Sequence, residues 1–85
     1  MPYQRLKANG FTFVFKYEDD YPDLLHIFAR HRKETDDAMY IFFNGVTAWN
    51  QAQNRFETFL DGEGLFWFWI DEPGKVVMVV SCFDQ

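Results

Sequence analysis

The 85-residue chain sets eight Lys and Arg against thirteen Asp and Glu, for a formal charge of −5, and draws 21% of its residues from Phe, Trp and Tyr. That length holds one domain near the lower size limit for a stable core. The acidic balance argues against general nucleic-acid binding, which needs clustered bases to neutralise phosphates. Cys82 is the single cysteine, so no internal disulfide can form. No apolar run reaches membrane-spanning length, and Met1-Pro2-Tyr3-Gln4-Arg5 opens on strand-like alternation instead of an apolar leader, so a cytoplasmic, reducing setting is expected.

In chain order, Asn9-Gly10 separates two strand-like runs, 3–8 and 11–17, and this dipeptide readily takes the two positive φ angles of a tight hairpin turn. Phe11, Phe13, Phe15 and Tyr17 share one face of the second strand. Asp19, Asp20, Pro22 and Asp23 then read as a helix start, and Arg30-His31-Arg32-Lys33 as a basic helix end, which predicts a helix over 22–33. After the polar connection 34–37, the apolar run 38–43 reads as a buried central strand. Asn44-Gly45 ends it. The next stretch has two readings, a hairpin beginning with residues 46–49 or a helix capped by Thr47. Trp49, Ala52, Phe56, Phe59 and Leu60 fit one helical face, so the helix is favoured. Residues 65–70 and 76–83 form the most apolar pair of runs, divided by Asp71-Glu72-Pro73-Gly74-Lys75. A final hairpin is predicted there, with a loop wider than two residues and a type II turn at Pro73-Gly74. The fold class is therefore α+β, a single small domain over residues 1–85. Its mainly antiparallel five-stranded sheet would carry two helices on one face, in the order β-β-α-β-α-β-β.

Motifs that carry chemistry are scarce. His26 and His31 are five residues apart on one predicted helix, about 140° around its axis, and unsuited to sharing a metal. Cys82 sits in an apolar strand with no activating neighbour, as an inert core thiol does. No calcium-loop, phosphate-loop or dinucleotide pattern is present, so no cofactor, no metal and no catalytic residue is assigned. Asn9-Gly10-Phe11-Thr12-Phe13-Val14-Phe15-Lys16 echoes part of an RNA-recognition strand but lacks its basic start and final aromatic.

The final hairpin offers the strongest interaction signal. Trp67 and Trp69 share one face of the strand, Phe66, Phe68 and Ile70 the other. Two short helices cannot cover both faces of the sheet, so one should stay open. The tryptophan face is expected there, because indole N–H groups suit interfaces and anchor binding energy. The functional expectation is a non-enzymatic, acidic protein-binding module docking on a basic partner through Trp67 and Trp69, framed by Asp19, Asp20, Asp36, Asp37 and Glu63. Its sharpest form is an inhibitor, antitoxin- or immunity-like or a phage-encoded blocker of a nuclease or nucleic-acid-binding protein. Two alternatives are RNA or single-stranded nucleic-acid binding by a dimer through exposed rings with Arg30, Arg32 and Lys33, and a homo-oligomeric structural protein whose open sheet face is a homodimer seam.

Overall fold

The computed structural model describes residues 3–85. Eight elements follow one another: β1 (Tyr3–Ala8), β2 (Phe11–Lys16), α1 (His26–His31), α2 (Thr35–Asn44), β3 (Val46–Asn50), β4 (Arg55–Leu60), β5 (Glu63–Asp71) and β6 (Val76–Asp84). They form a small α+β domain with one six-stranded sheet in the order β1-β2-β6-β5-β4-β3. Only β2 and β6 run parallel; the other neighbours are antiparallel.

Both outer hairpins form where the sequence places them. At the β1–β2 turn, Asn9 and Gly10 have φ of 51° and 83°, the two positive angles that this tight turn needs. Between Asp71 and Val76, which pair as the last rung of β5–β6, four residues make the expected wider loop. Its positive φ falls on Lys75, however, and not on Gly74 as a type II turn would require. Asp71 Oδ1 accepts from the Gly74 N–H at 3.3 Å, and the Glu72 carbonyl accepts from the Lys75 N–H at 3.0 Å.

The middle of the chain departs from expectation in three places. Residues 38–43 belong to a helix, α2, not to a strand. Glu34 and Asp37 cap its start reciprocally, each side chain accepting from the other's backbone N–H, while Ala38 and Ile41 point inward at helical spacing. Residues 46–60, favoured as a helix, form the β3–β4 hairpin instead. Its turn chemistry is visible: Asn50 Oδ1 accepts from the Gln53 N–H at 3.1 Å, and Asn54 takes a φ of 55°. The first helix is shorter than 22–33. Tyr17 bridges Leu25, and the Glu18 N–H donates to the Leu24 carbonyl at 2.8 Å, so residues 18–24 close as a loop and α1 starts only at His26. Thus the five-stranded order β-β-α-β-α-β-β becomes β-β-α-α-β-β-β-β.

One face of the sheet holds the core. Phe13, Phe15, Leu65, Trp67, Val77, Val79 and Cys82 are buried there with Ile27 of α1 and with Ala38 and Ile41 of α2. A bulge on β6 sets this phase: Phe66 pairs with Ser81 but Trp67 pairs with Val79, so Val80 is an extra residue. Beyond it, Cys82 and not Ser81 turns inward beside Leu65.

Candidate functional site

The tryptophan face is the covered face, the reverse of the sequence expectation. Trp67 is 4% exposed and Phe68, the next residue, 41%. Pairing fixes this choice. Trp67 lies opposite Phe56 and Val79, and Trp69 opposite Val77, all on the side where α2 brings Phe42 within 4.8 Å of the Trp67 ring. Phe66 lies opposite Glu57 and Ser81, whose polar side chains suit the solvent side. The Trp67 indole N–H has an internal partner, donating to Thr58 Oγ1 at 2.9 Å, and that buried hydroxyl lies 2.7 Å from Thr47 Oγ1. Trp67 is therefore a core residue with a satisfied donor, and as an exposed anchor it is lost.

The carboxylates expected around the tryptophans serve local structure. Asp19 lies 3.7 Å from Lys16, and Asp20 lies 3.8 Å from Arg30. Asp37 caps α2, and Asp36 is exposed in the first turn of that helix. Glu63 and Asp84 both accept from Lys33 Nζ, each at 2.6 Å, which holds the Lys33 ammonium well above its ordinary pKa. None of these acids lines a cleft with Trp69. The basic trio is similarly engaged. Arg30 donates to Glu18, Lys33 is clamped as described, and Arg32 lies 5.6 Å over the Phe28 ring. Phe11, Phe13 and Phe15, the rings of the RNA-like strand, face the core cluster.

Glu18 is the buried charged side chain among the described residues, 6% exposed. It accepts from Arg30 Nε at 2.5 Å and from the Asp19 N–H at 3.0 Å, and lies 3.3 Å from His26 Nδ1. The Arg30 hydrogen bond, before all else, holds its pKa below the usual carboxylate value. The two histidine rings come within 6.2 Å of each other, closer than their helical spacing suggested. Burial, then the charges of His26 and Arg30, lowers the pKa of His31, whose Nε2 lies 3.2 Å from Ser81 Oγ. Cys82 is fully buried, and desolvation pushes its thiol up to about 12, as an inert core cysteine requires. Among the described residues no three His, Cys, Asp or Glu side chains group to hold a metal ion, and no helix is long and apolar enough to cross a membrane.

Two surfaces stand out. The first is the open sheet face, where Phe68 and Ile70 are exposed beside a shallow groove of about 250 Å³ lined by Tyr3, Arg5, Val14, Phe68, Ile70 and Met78. By register Arg5, Lys7, Lys16 and Arg55 also point to this side. It thus carries four of the eight bases of the chain, with Glu57 and, beyond the bulge at Ile70, Asp71 opposite Val76 as acids within the strands. Asn50 and then Arg55 hold Glu57 ionised, keeping its pKa below the ordinary value. The second is a larger cleft of about 660 Å³ between the β3–β4 turn and the β5–β6 loop, lined by Trp49, Asn54, Phe56, Phe68, Trp69 and Glu72. It exists because β4 stops early: Phe56 pairs with Trp67, and residues 68–71 of β5 continue with β6 alone. The helical reading of residues 47–60 hid this cleft; the paired turn residues Asn50 and Asn54 were the available signal. No family model, curated protein or solved structure matches the chain.

Proposed function

We propose that the chain is a protein-binding module that docks through the open face of its sheet. The supporting observation is the uncovered apolar strip of Phe68 and Ile70, 41% and 50% exposed, on the part of this face beyond the reach of α1, which touches it only at Ser81 and Phe83. Fully burying a large apolar side chain is worth about 1.5–3 kcal/mol, and covering the exposed half of Phe68 or Ile70 against a partner would contribute roughly half of that. The rim of Arg5, Lys7 and Lys16 favours a partner patch that is apolar and fringed with carboxylates. An inhibitor of a basic nucleic-acid site, the sharper form suggested by composition, would need carboxylates beside these anchors. The basic rim gives docking more support than it gives that target class.

A photo-crosslinking side chain in place of Phe68, compared with one in place of the exposed Tyr40 on α2, tests the reading. Adducts to a partner are expected at position 68 and absent at 40; equal or no adducts at 68 sink it. Adducts joining two copies of the chain, with a dimer in sedimentation, would make the open face a homodimer seam instead.

One observation favours a second reading, single-stranded nucleic acid. Tyr3 and Phe68 line one groove with Arg5, and Lys7 and Lys16 lie on the same face. These residues replace the trio Arg30, Arg32 and Lys33. Oligouridine binding at low salt, weakened by Arg5→Glu, would support it; absence of binding at high protein concentration removes it.

A further inference from the structure

We infer that the cleft walled by Trp49, Phe56 and Trp69 is a site for a methylated or quaternary ammonium group. The walls are set at steep angles. Phe56 stacks on Trp67 at 18°, Trp69 stands at 90° to Trp67, and Trp49 is tilted 62° to Phe56 with ring centroids 4.8 Å apart. Since Phe56 lies nearly parallel to Trp67 and Trp69 upright to it, Phe56 and Trp69 cross steeply, so the cleft offers a compact cationic head ring faces from more than one direction.

The charge balance selects a cation. Among the described residues, Arg32, Arg55 and Lys75 lie over the rings of Phe28, Phe66 and Phe11, and no base lies over Trp49, Phe56 or Trp69. Tryptophan has the strongest face for a cation, so the best rings of the chain are those left free of one. At the cleft mouth Glu72 is exposed and joins no ion pair among the described residues. A primary ammonium is strongly hydrated and asks for three acceptors, while this cleft offers the Glu72 carboxylate, the Asn54 amide oxygen and apolar walls. A methylated head gives up less hydration and fills those walls.

Titration of the intact chain by NMR tests the site with three probes: choline, free trimethyllysine and the neutral choline isostere 3,3-dimethylbutanol. Both cations are expected to shift the indole N–H resonances of Trp49 and Trp69 saturably. The neutral isostere should bind about tenfold more weakly, as loss of a cation–π contact and its counter-charge implies. Trimethyllysine binding more tightly than choline would mark a modified peptide as the natural source, and the reverse order a small molecule. Trp49→Ala should abolish the shift at Trp69. Glu72→Gln, a loop change that leaves the sheet intact, should weaken both cations and leave the isostere untouched. Equal binding of the isostere, cation binding unchanged in Glu72→Gln, or no saturable shift would overturn the assignment.

Discussion

Trp67 and Phe68 are adjacent, aromatic and part of the same strand, yet one lies at the centre of the core and the other on the open surface. Their strand neighbours explain the difference. Trp67 faces rings and β-branched side chains supplied by β2, β4, β6 and α2, together with the one hydroxyl that can take its N–H. Phe68 pairs with Met78 beside the groove that Arg5 lines, on the opposite face, where α1 reaches only as far as Ser81 and Phe83 through His31. In a sheet covered on one side, the same residue type is a structural element on one face and a contact residue on the other. The covering layer decides which.

Substitution at this pair should give the largest separation. Trp67→Ala removes a buried ring and one of the two partners of the Thr58 hydroxyl, at a cost of about 3–5 kcal/mol, a substantial part of the stability of a domain this small. Phe68→Ala should cost under about 1 kcal/mol, since its ring already meets solvent. Urea unfolding of both variants measures the contrast, and similar losses would break it.

Two glycines extend the comparison at smaller amplitude. A Cβ on Gly45 would lie 2.8 Å from the carbonyl oxygens of Ile41 and Phe59 and 2.7 Å from the buried Thr58 methyl, none of which can swing aside. Gly45→Ala should therefore destabilise by about 1–3 kcal/mol. On Gly64 the contacts are with the rings of Phe83 and Phe59, the nearest at 2.6 Å. These are ring atoms at the far ends of side chains, whereas Gly45 faces two backbone carbonyls, so Gly64→Ala should cost less than Gly45→Ala in the same unfolding assay.

The smallest effect concerns the edge where α1 meets β6. His31 has a folded pKa below its ordinary 6.5, so the unfolded chain binds the extra proton first as pH falls. Its contribution is whole above about 6.5 and declines as pH drops from there toward the folded value. Glu18, whose folded pKa lies below 4.5, acts next: its contribution is present above 4.5 and is lost as pH falls through the folded value. Melting temperature should thus fall in two stages on acidification. His31→Gln should flatten the first stage and Glu18→Gln the second; an unchanged profile in both variants would detach α1 from the pH response.

Much of the fold was legible wherever the backbone signal is local. Asn9-Gly10 fixed a hairpin because few dipeptides tolerate two positive φ angles, and the runs on either side of residues 71–75 are too apolar and β-branched to be anything but strands. The burial of Cys82 was readable from its apolar strand neighbours. Residues 38–43 and 46–60 were not legible in this way. A six-residue apolar run fits a buried strand or a short helix equally, and Phe56 follows Trp49 by seven positions, which matches two helical turns as well as a cross-strand pair beside a hairpin turn. The capping pair Glu34 and Asp37 and the turn residues Asn50 and Asn54 held the answer, but each is weak alone.

The alternation along residues 65–71 determined that Trp67 and Trp69 lie on one side and Phe66 and Phe68 on the other. It could not say which side the helices would cover, because alternation is symmetric between the faces. Only tertiary structure broke that symmetry. The bulge at Val80, the pairing of β5 with a strand read as helix, and the placement of α2 over Phe13 and Trp67 together turned the tryptophans inward. The early end of β4 then left the aromatic cleft beside Glu72. These are long-range pairings between distant residues, and a register between strands is decided by the whole sheet at once.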